Sequence, residues 1–239
     1  LSVLAVVVIV GLLILLAMGG QEGTARTNLD GMKVTALSAA SDAVLYANVS
    51  DAALSGVFRS TDGGETWQLA SRQLNRQVSA LAVSPAEPRV IYAGTPGGSL
   101  ALGEESLYMS TDGGRSWSRT PILLPARADG TVPSVLALAV DPADAGTVYV
   151  GTDGQGVYKL TDMGTTLTAM GDELYGARVD RLVVDPQDAQ RVYAVTSKGL
   201  FRSDSAGKSW SKVASLPEQA VSVAVAPSDN RVVYVGTAS

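Results

Sequence analysis

The sequence predicts an all-β fold: a β-propeller of four-stranded blades, four full blades and a partial fifth, preceded by one N-terminal transmembrane helix. Three observations carry this. An eight-residue phrase at 60–67 (STDGGETW) returns at 110–117 (STDGGRSW), and in altered form at 160–167 (LTDMGTTL) and 203–210 (SDSAGKSW). Its last position falls at 67, 117, 167 and 210, so the steps are 50, 50 and 43 residues. A period of about 40–50 residues with several short strands per unit is the signature of a propeller. The third observation is an uncharged apolar run over residues 1–18.

That run is the first element. Eighteen helical residues would span about 27 Å, near the hydrocarbon thickness of about 30 Å. Residues 1–20 are therefore expected to form an anchor helix, with a cleaved signal peptide as the rival reading, because Ala17, Gly19 and Gly20 supply small residues near a possible cut. Residues 21–33 are polar and read as a linker, and residues 34–239 as the propeller, expected on the extracytoplasmic side of a single-pass membrane protein.

Each unit then has the same four pieces. An alternating apolar strand comes first (34–38, 78–83, 135–140, 179–184, 221–225), closed in the later units by a turn with Pro at its second position (Pro85, Pro142, Pro186, Pro227). Proline fixes φ and has no N–H to donate, so the strand stops there. A second strand follows (44–47, 90–95, 148–152, 192–196, 232–237), then a third that runs into the repeated hairpin, then a fourth. The fifth unit reaches only two strands by Ser239, which reads as a propeller continuing beyond this segment.

The composition removes whole classes of chemistry. There is no Cys and no His among 239 residues, so a zinc site of the usual ligands, a Cys–His dyad and a Ser–His–Asp triad are all excluded. The formal charge of −5 is opposite to the footprint of a nucleic-acid-binding protein. No cofactor and no metal are expected. Calcium is the tempting alternative where Asp and Gly crowd together, yet one carboxylate per loop falls far short of the six to eight oxygens calcium takes.

The pattern Ser-x-Asp-x-Gly-x-Thr/Ser-Trp resembles the Asp-box, or bacterial neuraminidase repeat. Its residues are Ser60, Asp62, Gly64, Thr66 and Trp67, then Ser110, Asp112, Gly114, Ser116 and Trp117. The worn copies keep Asp162 and Gly164, and Ser203, Gly207, Ser209 and Trp210, with Leu160 and Leu167 in place of Ser and Trp, and Ser205 at the Asp position. These residues read as structural: Asp accepts hydrogen bonds from its own turn, glycine permits positive φ, and Trp buries apolar surface between blades.

The resemblance has two functional implications. Sialidases of this family use three arginines, a Tyr–Glu pair and an acidic Asp, but their Arg-Ile-Pro element has no counterpart here. Arg59, Arg115 and Arg202 flank hairpins as expected edge protection, and Asp141 and Asp185 are channel-mouth carboxylates by position or else caps of the Pro turns. The run V-x-x-L-A-V-x-P…Y-A-G-T…S-T-D-G-G-x-S-W looks closer to propellers related to photosystem II stability and assembly factors. That likeness implies a non-catalytic accessory or assembly subunit of a membrane complex, of which photosynthetic and electron-transferring complexes are the examples, with integral membrane proteins as partners. The alternative is a sialidase-like propeller that binds or hydrolyses cell-surface glycans. Candidate partner contacts are Gly11 in the apolar run and Ile122, Leu123 and Leu124 in the second of two insertions (96–106 and 120–133). The other reading of those three apolar residues is packing on a neighbouring blade.

Overall fold

A computed structural model describes the backbone of residues 5–9 and 12–16, and residues 29, 31–41, 43–50, 55–70, 74, 77–98, 107–213 and 219–238. The chain is all-β. Four antiparallel sheets of four strands follow one another along the sequence. The first contains β3 (Val34–Ala39), β4 (Leu45–Ser50), β5 (Ser55–Ser60) and β6 (Gln68–Leu69). The second contains β7 (Ala80–Val83), β8 (Ile91–Gly94), β9 (Leu107–Ser110) and β10 (Ser118–Arg119). The third contains β11 (Val135–Val140), β12 (Val148–Thr152), β13 (Val157–Thr161) and β14 (Thr166–Met170). The fourth contains β15 (Val179–Asp185), β16 (Asp188–Thr196), β17 (Gly199–Ser203) and β18 (Ser211–Lys212). A pair, β19 (Ala220–Val225) and β20 (Val233–Thr237), comes last.

In every sheet the strands pair in sequence order, and the first strands β3, β7, β11, β15 and β19 run beside one another. Second strands such as β8 (IYAG) and β12 (VYVGT) are buried along their whole length. A strand covered on both faces reads as a continuous apolar run, and these do. Buried side chains collect between consecutive sheets: Tyr92, Leu107, Val150 and Leu160 between the second and third, and Tyr149, Met170, Phe201 and Trp210 between the third and fourth.

Close sheet-to-sheet approach is written into the glycines that end second strands. A Cβ on Gly94 would come within 2.3 Å of Val135 Cγ1, and one on Gly151 within 2.7 Å of Val179 Cγ1. Both glycines let the next sheet's first strand pack onto bare backbone.

The N-terminal helix is not supported. Instead of a helix, the backbone forms two antiparallel strands, β1 (Ala5–Ile9) and β2 (Leu12–Leu16), paired from Ala5 with Leu16 to Ile9 with Leu12. Val6, Val7, Val8, Ile9 and Ile14 are β-branched, stiff at χ1 and better suited to an extended backbone than to a helix. Among the described residues no helix is long and apolar enough to cross a membrane. Gly11, the rest of residues 1–20 and most of the expected linker lie outside the described residues. Leu29, within that expected linker, is buried beside Leu45, Phe58 and Trp67.

Candidate functional site

The two ends of the strands carry different chemistry. One end holds the Pro turns and the repeated hairpins; the other holds the loops that lead into the first strands.

At the hairpin end, the first two boxes close the same network. Ser60 Oγ donates to Asp62 Oδ1 at 2.7 Å and accepts Gly64 N at 2.8 Å. Asp62 Oδ1 accepts Thr66 N at 2.9 Å, while Oδ2 accepts the Thr66 hydroxyl. Ser110, Asp112, Gly114 and Ser116 repeat this at 2.8, 2.8, 2.9 and 2.6 Å. Hydrogen bonds to the charged form favour it. The Ser60 and Thr66 donors therefore bring Asp62 down to about 2, and Ser116 above all does the same for Asp112. Both oxygens of each carboxylate are taken up by their own loop.

The worn boxes reach a similar turn by other means. In the fourth, neutral Ser205 accepts Ser209 N at 3.1 Å and Ser203 Oγ accepts Gly207 N at 2.9 Å. In the third, Leu160 is buried where Ser would stand, and Asp162 holds the turn through its backbone carbonyl, which accepts the Thr165 amide and hydroxyl. Gly164 O accepts Ile122 N at 3.1 Å, tying the box to the preceding sheet. Met163 and Ala206 take a left-handed φ of +53°, in the region where Gly63 and Gly113 stand at +73° and +76° in the strict copies.

The tryptophans face the sheet seams. Trp67 Nε1 donates to Gly64 O at 3.0 Å, and Trp117 Nε1 to Gly114 O at 3.1 Å and to Ala70 O of the preceding sheet at 3.3 Å. Trp210 lies against Gly171, where a Cβ would sit 2.3 Å from its Cδ1. Asp141 and Asp185 cap Pro turns: their Oδ1 atoms accept Ala143 N at 2.9 Å and Gln187 N at 2.8 Å. Fully buried Asp185 also receives Arg191 Nη1 at 2.9 Å.

A seam element missing from the sequence reading is the tyrosine that recurs in second strands. Tyr46 OH donates to Gly113 O at 3.2 Å and Tyr92 OH to Ala145 O at 2.9 Å, each crossing to the next sheet. Burial, with the Asp144 charge nearby, pushes the Tyr92 phenol up to about 12. Its signal was available, since a Tyr occupies the same place in every unit.

The opposite end gathers polar side chains around an axial opening. The inner strands enclose a cavity of about 570 Å³ lined by Leu81, Leu138, Leu182 and Val223. It leads to a smaller one of about 140 Å³ with Thr35, Ser79, Asp180 and Arg181 at its wall. At the same end of the strands, Arg127 pairs with Asp153, whose Oδ1 also accepts Ser134 N at 3.0 Å. Arg178 Nε donates to Asp180 Oδ1 at 2.7 Å. Asp129 accepts the Thr131 hydroxyl and amide, which hold its carboxyl below the usual range. Lys198 Nζ donates to Tyr175 O at 2.7 Å and Glu173 O at 3.2 Å, fixing a loop that leaves Tyr175 74% exposed.

The second insertion divides as its alternatives implied. Leu124 is buried and Ile122 half-buried in the core between the second and third sheets, while Leu123 is exposed. Most of the first insertion, residues 99–106, lies outside the described residues. Among the described residues no group of three or more carboxylates is placed to hold a metal ion.

These features define a protein of BNR/Asp-box repeats, and that repeat family's model matches residues 58–69 and 108–119. The chain is 30% identical over 193 residues to a xyloglucanase of Hypocrea jecorina (strain QM6a), covering 79% of this chain and 20% of that protein. It is 29% identical over 201 residues to the oligoxyloglucan-reducing end-specific xyloglucanase of Emericella nidulans, covering 77% of this chain and 23% of that one. The fold is shared with the GH74 enzyme of Niastella koreensis at a TM-score of 0.66 and 21% identity, over 84% of this chain and 33% of that structure. The chain thus spans about a fifth of the length of the curated relatives it matches.

These likenesses correct the expectation of a non-catalytic accessory subunit without enzymatic activity. The relatives are named as xyloglucanases, which favours the glycan-directed alternative over it. The sequence reading went astray because the repeat that carries the likeness is structural and common to catalytic and non-catalytic propellers alike.

Proposed function

We propose that this chain is part of a glycoside-hydrolysing β-propeller acting on a β-glucan of the xyloglucan class. Residues 34–239 would supply four blades and the first two strands of a fifth. The observation that carries this reading is the likeness to xyloglucanases across 79% of the chain, far beyond the two boxes themselves.

The geometry supports the same reading at the loop end. Glycoside hydrolysis needs carboxylates arranged about a bound sugar. Asp129 and Asp153 stand on loops at this end and Asp180 at the start of β15, on the wall of the axial mouth, the last two fixed in direction by Arg127 and Arg178. Tyr175, held outward through Lys198, offers an aromatic face on which the apolar face of a pyranose can rest. In this reading those side chains bind and orient the polysaccharide.

The test incubates the full chain with xyloglucan, with cellulose oligomers and with a sialoside. Release of reducing ends, or retardation in a xyloglucan-containing gel that a Tyr175→Ala variant loses at least tenfold, supports the proposal. Neither turnover nor retardation on xyloglucan, or activity on the sialoside alone, overturns it.

A further inference from the structure

A second cavity lies at the hairpin end, in the seam between the first and second sheets. It measures about 320 Å³ and is walled by Arg59, Thr61, Thr66 and Gln68 on one side and by Gly113, Gly114 and Arg115 on the other. A smaller cavity of about 150 Å³ shares Arg59, Gly113 and Arg115 and adds Arg89, Tyr46 and Asp112. Three arginines thus line these two adjoining cavities in a chain whose net charge is −5.

Their charges are not cancelled from within. Arg59 Nε donates to Tyr46 OH at 3.0 Å and its guanidinium lies 5.9 Å from the Tyr46 ring centroid, which orients the group without neutralising it. Among the described residues, Arg59, Arg89 and Arg115 form no ion pair with a carboxylate, although five other arginines do so. Asp112, the one carboxylate in the wall, has both oxygens occupied by Ser110 and Ser116 of its own loop.

The fourth sheet provides an internal control. Arg202 stands in the register of Arg59, one residue before the box serine and opposite the second-strand tyrosine. There the second box position is Asp204, which takes Arg202 Nη2 at 2.6 Å and Nε at 3.0 Å. In the first sheet the same position is Thr61, a hydroxyl that leaves the cation free. The third seam faces its tyrosine with Lys159, and the second with Met109.

We propose that the cleft between the first and second sheets is an oxyanion site, independent of any glycan site at the loop end. Arg59 and Arg115 grip the anion from opposite walls, Arg89 adds charge from the smaller cavity, and Thr66 and Gln68 serve the attached hydroxyls. Guanidinium groups suit this because their planar fork matches carboxylate and sulfate oxygens in pairs. At about 320 Å³ the cleft reaches the lower end of small-molecule sites, which suits an anionic sugar such as a uronate as well as a free tetrahedral ion.

The experiment titrates the full chain with tetragalacturonate, with inorganic sulfate and with neutral cellotetraose, by calorimetry at low and high salt. The proposal expects binding of one or both anions, weakened at least tenfold by salt, and none of cellotetraose in this cleft. A Thr61→Asp variant installs the neutralising carboxylate of the fourth sheet on an exposed position and should cut anion affinity at least tenfold. Arg202→Gln, whose cation is already paired, should leave affinity unchanged. Tetragalacturonate binding without sulfate identifies a sugar carboxylate as the ligand, and sulfate binding alone identifies a tetrahedral ion. Binding of neither, or equal anion affinity in the Thr61→Asp and parent proteins, overturns the site.

Discussion

The seam between the first and second sheets and the seam between the third and fourth are built on one plan with opposite polarity. In the former, Tyr46 OH donates to Gly113 O and Trp117 Nε1 to Ala70 O and Gly114 O, so the tyrosine and tryptophan tips are both satisfied, although Asn48, whose Nδ2 donates to Val78 O at 2.7 Å, leaves its Oδ1 buried without a partner among the described residues. In the latter, Tyr149 OH and Trp210 Nε1 are buried without a partner among the described residues. Burial above all, with Asp141 nearby, drives the Tyr149 phenol upward. What replaces the polar latch is apolar contact: Gly207 lies 3.2 Å, by its would-be Cβ, from both Met170 Sδ and Tyr149 Cε1, inside the cluster of Phe201 and Trp210. The repeat therefore keeps the shape of a seam while exchanging the forces that hold it, and a box can lose its Asp as long as the packing deepens.

The largest consequence concerns the tryptophans. Trp210 is 5% exposed and serves a seam held by packing. Trp210→Ala should cost about 3–5 kcal/mol, as large aromatic truncations in a core do. Trp117 is half-buried and shares its seam with hydrogen bonds, so Trp117→Ala should cost clearly less. Urea denaturation of both variants decides it. Equal losses would mean the two seams rest on packing to the same degree.

A sharper contrast, of smaller size, lies in the tyrosines. Tyr46→Phe removes a donor whose acceptor stays behind and should lose about 1 kcal/mol. Tyr149→Phe removes a buried hydroxyl that has no partner, and should gain about 1 kcal/mol or more. Opposite signs at equivalent positions are the expected result. A loss at both would show that the Tyr149 hydroxyl is satisfied in solution, and the polarity of the two seams would then be alike.

Much of this architecture was legible in the sequence because it repeats. The 50-residue steps, the Pro turns at 85, 142 and 186 and the apolar second strands each recur in phase, so a weak local signal is multiplied by four. The apolar run at 1–18 has no such support. Its length suits a helix, its Val and Ile content suits strands, and hydropathy alone does not separate the two. The candidate sites were less legible for another reason. Thr61 against Asp204 decides whether an arginine is paired or free, and that contrast has meaning only once Arg59 and Arg202 are known to share a register. Tyr175 sits in a loop between repeats, where nothing recurs to draw attention to it, and Asp180 is a polar residue inside an apolar first strand that was read only for its pattern.

The smallest effect expected separates strict from worn boxes by pH. Asp62 and Asp112 have folded values of about 2, below the ordinary unfolded value near 3.9. A group lowered on folding adds stability that is fully present above its unfolded pKa and is lost as pH falls through the folded one. The strict boxes should therefore weaken between about pH 4 and pH 2, whereas the Ser205 box, which has no carboxylate at that position, should not respond. Both carboxylates are exposed, so solvent screens the effect and the slope should be shallow. An Asp62→Asn, Asp112→Asn double variant should be less stable than the parent at pH 7, with a flatter acid limb, and the two curves should converge as pH approaches 2. Thermal midpoints taken at half-unit steps across that window test this. Curves that stay parallel down to pH 2 would mean the charge on these two side chains does not hold the loops, and that the strict boxes work as the neutral Ser205 box does, through hydrogen-bond geometry alone.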